Sequence, residues 1–288
     1  MFMECLTLPA YAKINLTLDV TGKLPNGYHT VRMVMDSVEL HDDVIITKNE
    51  CSQITLSCNR PYVPTDDRNL AMRAANLFFE QTGISCAGLQ INLVKRIPVA
   101  AGLAGGSTDA AAVLKGLNTL YQAGYTLKQL CEMGVKLGAD VPYCLCGGTM
   151  LAEGIGQKLT PIPAPPRCHI VLCKPDFSVS TAEVYAEMNG GDLPVHPDTN
   201  GLIQAIRMQD YEGMCCRLYN VMERVTAAKH EEIGQIKDIL LSCGAEGAVM
   251  SGSGPTTFGL FQNQACAHKA YETLHRIFPE TYLTQFQM

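Results

Sequence analysis

PVAAGLAGGSTDAA, residues 98–111, is the stretch whose reading decides the fold. A β-type run at residues 89–94 leads into it, and a helix is predicted to leave it, starting at Ser107 or Thr108 and reaching about Tyr121, with Asp109 in its first turn. Glycine admits backbone conformations closed to other residues and lets the main chain come close to a ligand. A helix start offers unpaired amides at the positive end of a dipole, a setting suited to an anion. Ser107 and Thr108 add hydroxyls able to meet a phosphate or the metal it carries. The same residues also read as an ordinary capped helix with Ser107 as its N-cap.

Two familiar nucleotide fingerprints are missing. No GxxxxGK[ST] string occurs, and Gly252 and Gly254 lack a third glycine at position 257. A Walker-type NTPase and a dinucleotide-binding dehydrogenase are therefore disfavoured.

Outward from the loop, residues 6–20, 30–48 and 53–58 read as strands and residues 69–81 as a helix stopped by Gly83. A second helix is predicted over residues 126–137, ending before Gly138. Residues 160–167, TPIPAPPR, hold four prolines, which remove amide donors and fix φ, so this segment is the expected domain boundary. Beyond it come a strand at 169–173, helices at 181–188, 202–220 and 230–243, a glycine-rich hairpin at 248–261, a helix at 266–277 and a strand at 282–286. This is an α+β pattern in two domains, 1–160 and 161–288.

The chain has 288 residues, 47% hydrophobic and 17% charged, which suits a packed core. A net charge of −6 with no basic run argues against nucleic acid as the partner. Thirteen cysteines at irregular spacings, without paired CxxC motifs, read as reduced thiols and not as a disulfide scaffold or zinc site. Neither a signal peptide nor an apolar stretch long enough for a membrane helix is evident, so the expectation is a cytoplasmic protein with no membrane partner and no evident protein partner.

GLAGGSTDAA resembles the phosphate-loop signature of the GHMP kinases, the galactokinase, homoserine kinase and mevalonate kinase family. Two further strings match that family in order and distance: PAYAKINLTLDVTGKLPNGYHTV at 9–31 and AVMSGSGPTTFGLF at 248–261. The KIN and GYH elements of the first, with GADVPYCLCGGTMLAEGIGQ at 138–157 and STAEVYAEM at 180–188, resemble the branch whose acceptor alcohol carries a cytidine diphosphate. Ala104 stands where glycine is common, Thr108 where serine is, Leu24 and Thr30 where Arg and Glu are frequent, and Gln157 where Glu is frequent. Thr108 keeps a hydroxyl and Ala104 is small, so the loop tolerates both.

The resemblance implies a ribosomal protein S5 domain 2-like N-terminal domain that binds nucleotide and an α/β-plait C-terminal domain. It implies ATP with Mg²⁺ as phosphoryl donor, the metal held by phosphate oxygens and water without a protein cage. Pro98, Ala101, Gly102, Leu103, Ala104, Gly105, Gly106, Ser107 and Thr108 match the ATP-binding loop. Asp140 matches the base that takes the acceptor proton and Lys13 its cationic partner. On residues alone Asp140 reads as a turn cap and Lys13 as a surface lysine.

Asn15 shares a strand face with Lys13 and either contacts the acceptor or closes a loop. Tyr28, His29 and Tyr185 match a cytosine pocket, with rings stacking on the base and His29 reading its edge. Gly252, Ser253 and Gly254 approach either the substrate phosphates or the loop at Gly105. Alternatives are another GHMP small-molecule kinase, of homoserine or mevalonate type, and a non-catalytic ligand sensor. The presence of both Lys13 and Asp140 argues against the sensor.

Overall fold

The computed structural model describes residues 4–25, 27–188 and 195–287. Asn26, within the 9–31 string, lies outside the described residues. The chain forms two compact units, each discontinuous in sequence. Leu40–Val99, Ala104–Gly147 and the chain up to Ala12 make the first; Lys13–Glu39, Ala100–Leu103 and the chain from Gly148 onward make the second. Strands β1 (Cys5–Lys23) and β2 (His29–Lys48) each supply residues to both. The sequence division at residue 160 follows chain order, whereas the compact units interleave along it.

The first unit continues with β3 (Ile54–Cys58), α1 (Leu70–Thr82), β4 (Leu89–Val94), α2 (Gly105–Leu120), α3 (Leu127–Leu137) and α4 (Val141–Cys146). β4 pairs in parallel with β3, from Ile54↔Leu89 to Cys58↔Leu93, and antiparallel with β2, from Asp43↔Val94 to Lys48↔Leu89. Local chemistry sets the helix ends. The Asn69 side chain accepts from the Ala71 amide and Gly83 closes α1 in the left-handed region; Thr126 and Gln129 form a reciprocal capping box on α3. The strands bury Val44, Ile46, Ile91 and Leu93 against Phe78, Ala110, Leu114 and Leu130 of the helices. Gly116 lets α2 lie close on the sheet, since a Cβ there would come within 2.5 Å of Ile46 Cδ1.

The second unit adds β5 (Met150–Gly154), β6 (Lys158–Pro161), β7 (His169–Cys173), α5 (Thr181–Met188), α6 (Thr199–Arg207), α7 (Tyr211–Cys215), β8 (Tyr219–Asn220), α8 (Glu223–Ala227), α9 (Glu232–Ser242), β9 (Gly247–Met250), β10 (Thr257–Phe261), α10 (Gln264–His275) and β11 (Thr281–Gln285). One sheet has the order β11-β7-β10-β9, all antiparallel, and buries Val171, Cys173 and Phe261 against Ile236, Leu240, Ala270 and Leu274 of α9 and α10. β5 pairs with β2 and β6, and β8 pairs in parallel with β1 through Thr17↔Tyr219 and Leu18↔Asn220.

Local structure departs from the sequence reading at several places. The helical run at 202–220 breaks at Gln209, whose φ of 55° is left-handed, and its last two residues join β1 as strand β8. The proline segment begins inside β6, where Thr160 and Pro161 pair with Leu151 and Met150. Among the described residues β6 pairs with β5 alone, and an edge strand tolerates a proline because no ladder bond is lost on its outward side. Helices α4 and α8 were not foreseen, being five or six residues long and too short to show a period.

Candidate active site

The loop of residues 98–104 enters α2 through Ala104, which takes left-handed angles of φ 59° and ψ 24° and makes no side-chain cap. The helix starts at Gly105, so Ser107 is not its N-cap and Asp109 lies beyond its first turn. Tertiary bonds decide that start. The Lys95 ammonium meets the Gly105 carbonyl at 3.3 Å and the Asp109 carboxylate at 2.6 Å, and the Thr108 hydroxyl donates to the Tyr11 carbonyl at 2.7 Å. The Thr108 amide bonds back to Ala104 at 2.9 Å, which leaves the amides of Gly105, Gly106 and Ser107 ahead of the helical ladder. Gly106 is exposed and Ser107 half-buried, whereas Thr108 is buried.

A buried charge cluster lies under this turn. Lys95 also contacts the Asp42 carboxylate, whose other oxygen accepts the amides of Arg96 and, at 2.8 Å, Ile97. Burial opposes the Lys95 charge, but Asp109 and Asp42 together hold its pKa above the ordinary lysine value. Burial raises Asp109 to about 7 against the pull of Lys95, with Asp42 adding to the rise. Asp109 Oδ1 is buried and has no hydrogen-bond partner among the described residues. Sequence reading missed Lys95 and Asp42; the available signal was a lysine directly after the apolar strand LQINLV.

In the second unit, Lys13 and Asn15 share one face of β1, and both are buried, not at the surface. The Lys13 ammonium donates to Asn15 Oδ1 at 2.5 Å, and the Asn15 amide group reaches Met33 Sδ at 3.2 Å. The Asn15 backbone amide donates to Ser251 Oγ at 3.3 Å, and Ser251 Oγ donates to the Gly102 carbonyl at 3.1 Å. The Lys13 amide bonds the Leu103 carbonyl at 3.2 Å and the Thr256 amide the Ala101 carbonyl at 3.3 Å.

The 252–254 turn therefore approaches the loop at Gly102. A Cβ on Gly102 would meet the Ser251 carbonyl at 2.2 Å, and one on Gly252 would meet the Gly102 carbonyl at 3.1 Å and Lys13 Nζ at 3.4 Å. Asn220 Nδ2 holds the turn through the carbonyls of Met250 at 2.7 Å and Gly252 at 2.8 Å, and Thr226 holds the Ser253 carbonyl. The Ser253 hydroxyl pairs with Thr181 at 2.8 Å. Sequence reading did not single out Ser251, Asn220 or Thr226, although Ser251 sits within a quoted string.

His29 and Tyr185 stack face to face, 4.6 Å between centroids at 11°. Tyr28 is 59% exposed, so the stack on Tyr185 is made by His29. Pro98 is buried at the loop's entry. Asp140 occupies the N-cap position of α4 without making a side-chain capping bond, and it is half-buried. It belongs to the first unit and Lys13 to the second. Among the described residues no three His, Cys, Asp or Glu side chains are placed to hold a metal ion.

Residues 69–148 match the family of GHMP kinases N terminal domains and residues 202–280 that of GHMP kinases C terminal domains. The chain is 49% identical to a 4-diphosphocytidyl-2-C-methyl-D-erythritol kinase of Lachnoclostridium phytofermentans, over 99% of this chain and 98% of that one. It is 48% identical to the kinase of the same name from Acetivibrio thermocellus, over 98% and 99%. A crystal structure of 4-(cytidine 5'-diphospho)-2C-methyl-D-erythritol kinase superposes with a TM-score of 0.82 at 31% identity, covering 98% of this chain and all of that one. Both family matches and the near full-length similarity to these enzymes agree: the chain belongs to the GHMP kinase family.

Proposed function

We propose that the chain transfers the γ-phosphoryl group of ATP to the 2-hydroxyl of 4-diphosphocytidyl-2-C-methyl-D-erythritol, a step of the non-mevalonate route to isoprenoid precursors. The observation that carries this reading is the 49% identity that runs through 99% of the chain. Such breadth includes the KIN, GYH and GAD strings together.

Phosphoryl transfer runs through a loose transition state, so the protein chiefly positions reactants and places charge. In this reading the amides of Gly105, Gly106 and Ser107 bind ATP phosphate oxygens at the positive end of α2. Pro98, Ala101, Gly102, Leu103, Ala104 and Thr108 shape the loop that carries them, and Lys95 fixes its last carbonyl. Asp140 takes the proton of the acceptor hydroxyl while the new O–P bond forms and the bond to the leaving ADP oxygen breaks. Lys13 faces the developing alkoxide, and Asn15 orients its ammonium.

Mg²⁺ would enter with ATP and offset charge on the transferring phosphoryl group, with Ser107 the hydroxyl assigned beside it. His29, Tyr28 and Tyr185 take the cytosine. Gly252, Ser253 and Gly254, tied to Gly102, line the acceptor side. The nucleotide-binding part is assigned to residues 1–160 and the C-terminal part to 161–288. No helix among the described residues is long and apolar enough to cross a membrane; the proposed location is the cytoplasm.

The test is ADP release with Mg-ATP, offering the cytidine compound beside homoserine and mevalonate. Turnover with the cytidine compound alone is expected. Turnover with another alcohol alone would keep the kinase and overturn this acceptor. ATP binding with silence toward all three would favour a ligand sensor.

A further inference from the structure

Three thiols and one ammonium meet on three helices of the first unit: Cys131 on α3, Cys144 and Cys146 in α4, and Lys115 on α2. Cys131 Sγ lies 3.8 Å from Cys146 Sγ and 3.7 Å from the Pro142 carbonyl. The approach has a cause in the sequence. Gly134, one turn along α3 from Cys131, is buried, and a Cβ there would sit 2.9 Å from Val141 Cγ1 and 3.1 Å from Leu145 Cδ1. The missing side chain lets α3 close onto α4, and that closeness brings the two sulfurs together.

Burial disfavours the Lys115 charge, and its electrostatic neighbours are Cys146, Cys144 and Cys131, in that order of strength. A thiolate beside it relieves that cost. The contact from the Cys131 thiol, then the charge of Lys115, bring Cys146 down to about 7 against the opposing effect of burial. Cys131 is pushed up by the same contact and by burial, with Glu132 adding to the rise. Both cysteines are half-buried residues, not sealed in the core.

We propose that Cys146 and Cys131 form a hydroperoxide-reactive thiol pair that closes to a disulfide bridging α3 and the end of α4. The Cys146 thiolate attacks one peroxide oxygen, the O–O bond breaks, and hydroxide leaves, giving a sulfenic acid. The Cys131 sulfur then attacks the Cys146 sulfur; the S–S bond forms and the hydroxyl departs with the Cys131 proton as water. Two thiols and one hydrogen peroxide become one disulfide and two waters. The bond would close a span of 15 residues that contains Asp140, yet the proposal rests on no assignment of the reaction.

The experiment treats the reduced, full-length chain with about one equivalent of hydrogen peroxide, alkylates it at intervals and maps peptides without reduction. A linked Cys131–Cys146 peptide, two hydrogens lighter than its parts, is expected to appear several-fold faster than oxidation of the exposed thiols Cys5, Cys51 and Cys216. In Cys131→Ser, a dimedone adduct at Cys146 is expected, since the resolving thiol is gone. Absence of the linked peptide, or its formation no faster than oxidation of those exposed thiols, would overturn the pair. Faster labelling of Cys131 in Cys146→Ser than of Cys146 in Cys131→Ser would overturn the assignment of Cys146 as the attacking sulfur.

Discussion

Lys13 and Lys95 are each 4% exposed, yet they sit in opposite electrostatic settings. Lys95 lies between the carboxylates of Asp42 and Asp109, with the Gly105 carbonyl as a third partner. The described partner of Lys13 is the neutral amide oxygen of Asn15. Withdrawing an ammonium from water costs several kcal/mol unless something returns the lost interaction. For Lys95 the fold returns it, so its charge is matched before any ligand arrives. For Lys13 no such carboxylate is described, and in the proposed reading the developing alkoxide answers it, so the pair contrasts a structural cation with a proposed reactive one.

The largest effect should come from breaking the reactive side. Lys13→Met and Asp140→Asn are each expected to lower kcat by about 10³-fold or more. Isothermal titration should find ATP binding nearly intact in Asp140→Asn, and thermal unfolding should find Lys13→Met as stable as the parent chain. Loss of ATP binding in the first, or unfolding in the second, would remove the distinction. On the structural side, Lys95→Met leaves two carboxylates buried without their cation, and urea unfolding should show a loss of about 3–5 kcal/mol. Asp109→Asn added to Lys95→Met should recover part of that loss by removing one of those charges.

Asp36 extends the comparison to a buried carboxyl whose described hydrogen-bond partners are both neutral. Burial raises it to about 7, although hydrogen bonds from Thr149 and the Ser37 amide act the other way. The folded chain thus holds this proton more tightly than the unfolded chain does. The stabilisation is fully present below about pH 4 and is lost as the pH rises to about 7, an effect of roughly 4 kcal/mol. Asp36→Asn should flatten the decline of stability between about pH 4 and pH 7, and an unchanged profile would show that Asp36 keeps its charge.

His29 should behave like Lys13, as a ligand-facing group. His29→Ala is expected to raise KM for the cytidine substrate about tenfold while KM for ATP stays put, a stacking contribution of about 1–2 kcal/mol. Equal weakening of both would discredit the base pocket. The smallest change concerns the loop itself. Ala104→Gly relieves a left-handed alanine at φ 59°, so a gain of up to about 1 kcal/mol in unfolding free energy is expected.

Much of this molecule was legible in the linear chain, and the legible parts share a property. Strand β4 and helix α5 were read at their observed bounds, and α1 and α3 to within a residue or so at each end. Their signals, a side-chain period, the Asn69 and Thr126 caps and the Gly83 stop, act within a few residues. The family strings at 9–31, 98–111 and 248–261 were equally local, and they identified a GHMP kinase before any coordinates.

Tertiary structure alone decided how those strings are held. It set the start of α2 at Gly105, because Lys95 and Tyr11 bond to that turn. It turned Tyr219 and Asn220 into a strand, because β1 offered a parallel edge. It placed His29 on Tyr185 and Ser251 beside Asn15, partners 236 positions apart in the latter case. Periodicity and capping describe what a residue does for its own neighbours. Which distant group answers a buried charge or fills the space above a glycine depends on packing, and packing exists only once the chain has closed on itself.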